Sequence, residues 1–196
     1  MFLNKTRFKK WAKDAYKHGG LTVGQIYSGL VVSGGAWAIW TQEGYVPNWV
    51  KAALMEHTGE LPKKGCLFKA KNGEPIQYEI AENDYLDLPG VYMKAKVPFT
   101  VTPIVYERGG SQFRFLQSDN TGALVAVTTY LFDILDMSEL EEENRPTGPC
   151  SLNGQGDLLL WKSEHSALMV RRIDVSGDGL EVMNLLSTYE FKEEAI

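Results

Sequence analysis

A pattern that occurs twice restricts this chain more than any single residue does. In the first copy LVVS at 30–33 and AWAIW at 36–40 flank Gly34-Gly35, a two-residue hairpin signal, and 47–57 reads as a helix. In the second copy FRFL at 113–116 and ALVAV at 123–127 flank a turn at 118–122, and a helix runs from Thr129 to about Met137. A duplication of hairpin and helix implies two similar units, placed at 1–88 and 89–196, in an α+β protein of antiparallel strands with packed helices.

The rest of the pattern fits that plan. Phe8, Trp11, Ala12, Ala15 and Tyr16 recur at helical spacing, so 6–17 should be a helix with one buried face, capped by Asn4 or Thr6 and stopped by Gly19-Gly20. Strands are expected at 21–26, 29–33 and 36–41, and a hairpin of 66–70 with 76–80 around Asn72-Gly73 closes the first unit. The stretch 81–103 loosens around Pro89-Gly90, Pro98 and Pro103, and the unit boundary falls near Leu88. A last hairpin is read over 157–163 and 167–175, then a short strand or helix over 180–191. Trp37, Ile39, Trp49, Leu54, Leu131 and Leu135 are the expected core. Trp37, Trp40, Tyr45 and Trp49 either fill it or line a groove.

Charge is unevenly placed. Lys5, Arg7, Lys9, Lys10, Lys13 and Lys17 against Asp14 alone leave the first twenty residues at +5, so a chain of net −5 carries −10 elsewhere. An acidic body disfavours non-specific nucleic-acid binding, while a basic helix can still offer a local phosphate-facing surface through Lys9, Lys10, Lys13 and Lys17.

The motifs that would name a reaction are missing from the sequence. Cys66 and Cys150 form no CxxC, and His18, His57 and His165 lie far apart with no HExxH, so neither a zinc site nor any other metal or cofactor is expected. The paired glycines at 19–20, 34–35 and 109–110 belong to no P-loop or dinucleotide fingerprint, and Ser33 lacks a nucleophile elbow. No apolar run approaches the roughly 18 residues of a membrane span, which points to a cytoplasmic protein.

Two such units resemble the duplicated units of DNA sliding clamps. YLFDIL at 130–135 is similar to the helix of a clamp domain, and DLLL at 157–160 followed by ALMVRRI at 167–173 is similar to its closing hairpin. In that family the helices present basic residues toward DNA. Here the first helix does so, while Asp133, Asp136 and Glu139 make the later one acidic. The VAV-to-YL step at 125–131 also resembles small proteins of phages and mobile elements.

The resemblance implies a non-catalytic binding or accessory protein, clamp-like and tied to phage or mobile-element DNA metabolism. A protein partner is expected, and DNA binding is expected to be weak. Two alternatives stand beside it: a phage-encoded inhibitor of a host defence or replication protein, acting through the acidic run Glu139, Glu141, Glu142 and Glu143, and an enzyme whose site is scattered along the chain.

Overall fold

The computed structural model describes residues 1–80, 87–136, 138, 140 and 145–191. Among them the chain forms α1 (Lys5–Asp14), β1 (Leu21–Ile26), β2 (Gly29–Ser33), β3 (Trp37–Gln42), α2 (Asn48–Thr58), β4 (Cys66–Ala70) and β5 (Gln77–Ile80). It continues through α3 (Leu88–Lys94), β6 (Val97–Arg108), β7 (Ser111–Ser118), β8 (Leu124–Thr128), α4 (Thr129–Phe132), β9 (Thr147–Ser151), β10 (Leu158–Lys162), β11 (Ser166–Arg171) and α5 (Asp178–Leu186). The class is α+β.

The strands make one antiparallel sheet in the order β5-β4-β1-β2-β3-β11-β10-β9-β6-β7-β8. Within it, β5-β4-β1-β2-β3 and β10-β9-β6-β7-β8 carry the same strand order, and α2 follows β3 as α4 follows β8. The hairpin-plus-helix repeat read from the sequence is therefore matched by its strand order. β11 is the extra strand, and it joins the two sets by pairing with β3, Trp37 opposite Val170 and Thr41 opposite Ser166.

Alternation along the strands sorts side chains to the two faces. Trp37 and Ile39 of β3, Val125 and Val127 of β8 and Leu168 and Val170 of β11 enter the main core, which α1, α2 and α4 cover with Phe8, Trp11, Leu54 and Leu131. Ala38 and Trp40 face the other way with Leu88 of α3, and Phe115, Leu124 and Ala126 meet Val182, Met183 and Leu186 of α5. Helices thus cover part of both faces. Of the expected core, Trp37, Ile39, Leu54 and Leu131 are buried, whereas Trp49 and Leu135 are half-buried at its margin.

Several boundaries differ from the sequence expectation for identifiable reasons. The turn between β2 and β3 is centred on Gly35-Ala36, with the Gly34 N–H donating to Trp37 O at 3.1 Å. α3 was hidden by Pro89-Gly90, which sits in its first turn, where proline needs no hydrogen-bonding N–H; Asp87 accepts the Gly90 N–H at 2.9 Å. α4 stops at Phe132 instead of running to about Met137, because the following backbone pairs with the N-terminal segment. Leu135 opposes Leu3, and the Asp136 N–H donates to Phe2 O at 2.9 Å. β9 lies where Pro146 and Pro149 suggested only a loop; it is sparsely paired, with a register shift against β10 that accommodates proline. The segment after the last hairpin is the helix α5.

Candidate nucleic-acid interface

α1 begins at Asn4, whose Oδ1 accepts the Arg7 N–H at 3.0 Å, and its apolar stripe buries Phe8, Trp11 and Ala12 completely. Trp11 packs on Trp37 with ring centroids 5.1 Å apart and on Tyr130 at 5.6 Å. Phe8 meets Trp49 of α2 edge-on at 5.4 Å. With that face fixed inward, the helical period turns Lys10, Lys13 and Lys17 outward, three to four residues apart along one side.

The four sequence-predicted lysines do not share one environment. Lys9 is half-buried and bonded to Glu56 of α2 at 3.3 Å, and Arg7 pairs with Asp133 at 3.5 Å. Lys10 is exposed and holds its ammonium 5.3 Å from the Tyr130 ring centroid. Among the described residues, Lys10, Lys13 and Lys17 have no carboxylate partner within ion-pair distance. Lys9 therefore separates from the other three. The α-helix ends at Asp14, and Lys17 lies in a wider π-type turn, Ala15–Gly19, pinned to the β4–β5 loop by the Asn72 N–H donating to Tyr16 O at 2.9 Å.

Beside this stripe stands a histidine that sequence reasoning set aside. His57, near the end of α2, stacks on Tyr16 with ring centroids 5.1 Å apart and planes 15° from parallel. Its pKa lies below the ordinary histidine value because partial burial penalises the charged ring; among its charged neighbours Glu56 acts most strongly and pulls the other way, while Lys13 and then Lys17 oppose charging. The signal in the sequence was weak, since contact between residues about forty positions apart depends on how α1 lies against α2. Tyr130 also bounds the surface. Its hydroxyl donates to Asp14 at 3.1 Å, and burial followed by that bond raises its pKa strongly.

Other chemistry-bearing residues lie apart. Among the described residues no three His, Cys, Asp or Glu side chains are grouped to hold a metal ion. Cys66 and Cys150 are both free thiols, and burial pushes the Cys150 thiol up. His18 is exposed, and His165 stacks on Tyr45 at 3.5 Å, which places Tyr45 outside the core and outside any shared aromatic groove with Trp37. A cleft of about 350 Å³ between β8 and α5 is lined by Leu124, Ile173, Leu180 and Met183, with Arg172 tied to Asp157 at 3.1 Å. Of the acidic run, Glu139, Glu141, Glu142 and Glu143 lie outside the described residues.

The fold and this surface define an α+β protein with a basic helix laid across an antiparallel sheet. No family model matches the chain, and no curated protein matches it. Two solved structures overlap it loosely. One is the beta subunit from DNA polymerase of Streptococcus pyogenes, at TM-score 0.36 and 12% identity, covering 92% of this chain and 66% of that one. The other is the DNA polymerase III beta chain of Streptococcus pneumoniae TIGR4, at TM-score 0.34 and 8% identity with the same coverages. This chain thus spans less than two thirds of either structure. Among the described residues no helix is long and apolar enough to cross a membrane.

Proposed function

We propose that this chain is a non-catalytic, DNA-associated accessory protein of the cytoplasm, built of two similar units at 1–88 and 89–196, that meets nucleic acid through α1. The observation that carries this reading is the exposed stripe Lys10, Lys13 and Lys17, which lacks carboxylate partners among the described residues of a chain whose net charge is −5. Cations kept clear of the protein's own acids are available to phosphates. Lys9 contributes less, because Glu56 already holds it. The phage or mobile-element setting rests on the style of the sequence alone.

A labelled duplex titrated at low and moderate salt tests this. Binding should be weak and salt-dependent, with a slope near −0.9 for each phosphate neutralised, and reversing Lys10, Lys13 and Lys17 to Glu should flatten it. No retention at low salt would remove the nucleic-acid reading.

A protein partner is supported by a different observation. α5 and the residues after it leave Leu180, Leu185 and Tyr189 exposed, at 46, 66 and 61%. Large apolar side chains left exposed within ten positions of one segment offer apolar surface of the kind that protein interfaces use. Truncating all three should weaken a partner complex without changing the salt dependence of duplex binding.

A further inference from the structure

His57 lies beside the lysine stripe of α1, through its stack on Tyr16. It is half-buried on α2, and the exposed Lys13 and Lys17 stand three positions before and one position after Tyr16 on α1 and its terminal turn. From its own helix Glu56, which also bonds Lys9 at 3.3 Å, favours the charged ring, and it acts on the imidazole more strongly than Lys13 or Lys17 does. The β4–β5 loop meets the turn at the neutral Asn72, and the charged residues of that loop, Lys71 and Glu74, pair with each other at 2.6 Å.

We propose that nucleic-acid binding at α1 is proton-linked through His57: phosphates lying on Lys13 and Lys17 draw a proton from solvent onto the imidazole, and the surface gains a further cation as it binds. This rests on the nucleic-acid reading above and adds its regulation by pH.

The physical argument runs through the two lysines. In the free protein partial burial, Lys13 and Lys17 oppose charging of the ring, against the pull of Glu56. Phosphate oxygens placed on the lysines cancel their repulsion and add negative potential, which favours imidazolium. The stacked Tyr16 ring presents its negative face to the ring that becomes charged, a cation–π contact that favours the same state. Linkage then requires the converse: if binding raises the pKa of His57, lowering the pH tightens binding. A pKa rise of about one unit corresponds to at most about a tenfold gain in affinity across the titration range.

The experiment uses the full chain and a 20-base-pair duplex at low salt. The His57 ring protons are followed by NMR from pH 5 to 8 with and without the duplex, assigned by their loss in His57→Asn, and affinity is measured at both ends of the range. The expected result is a pKa raised by the duplex, affinity about tenfold higher at the acid end, and a salt slope steeper there by about one phosphate. Lys13→Gln with Lys17→Gln should abolish the pKa shift, and His57→Asn should flatten the pH profile. Binding of equal strength at both ends with an unmoved His57 pKa would overturn proton linkage while leaving the nucleic-acid reading intact. An absence of binding at both ends would overturn both.

Discussion

Trp11 of α1 and Trp37 of β3 pack with ring centroids 5.1 Å apart and planes 43° from parallel, and both side chains are buried. Trp37 also stands opposite Val170 of β11. The pair therefore seats the basic helix over the line where the two strand sets join. Trp37→Ala should cost about 3–5 kcal/mol, the usual range for deleting a large buried aromatic, as measured by chemical denaturation. A mutant that unfolds at the wild-type midpoint would show that this packing contributes nothing.

Gly29 lets β2 approach β3 closely. A methyl group there would come within 2.5 Å of Thr41 O and of the Trp40 ring nitrogen. Because the first of these is backbone, it cannot swing away, and Gly29→Ala should destabilise by about 1–3 kcal/mol. Gly44→Ala, which meets nothing within 4 Å, is the matched control.

Gln117 fastens the segment that follows α5. Its Nε2 donates to Tyr189 O at 2.7 Å and to Gly122 O at 3.0 Å, and its Oε1 accepts the Phe191 N–H at 2.8 Å. Gln117→Leu should leave these backbone groups unpaired, at about 1–3 kcal/mol for each that stays buried. Limited proteolysis should then cut after α5 sooner than in the wild type. Unchanged cleavage would mean that the apolar contacts of α5 hold the segment by themselves.

His57 also makes stability depend on pH. Its folded pKa lies below the unfolded value of 6.5, so between the two values the unfolded chain binds more protons. Stability should therefore fall as pH drops below about 6.5, until it levels off below the folded pKa. His57→Gln should shrink the difference between urea midpoints at pH 7.5 and 5. An undiminished difference would assign the effect to other groups.

Much of the fold could be read because its local signals agreed with its pairings. β1 and β2 lie at the expected residues, and the stripe of Phe8, Trp11 and Ala12 is buried as its spacing required. What failed was decided at long range. α4 is cut short by the backbone of Phe2 and Asn4, more than a hundred positions away, and β9 is a strand because β6 and β10 close around it. At the surface, the lysines were visible as charges. The capture of Lys9 by Glu56 and the stacking of His57 on Tyr16 depend on helix packing, which no local pattern encodes.

The pairing of β3 with β11 also bears on how the chain is made. Thr41 and Ser166, neighbours across that line, are 125 positions apart, so β3 emerges from the ribosome long before its partner exists. Until then it presents an open row of backbone donors and acceptors, flanked by Trp37 and Trp40, to any other nascent strand. A chain interrupted before β11 should therefore be prone to self-association, and slower elongation beyond β10 should lengthen the interval of exposure.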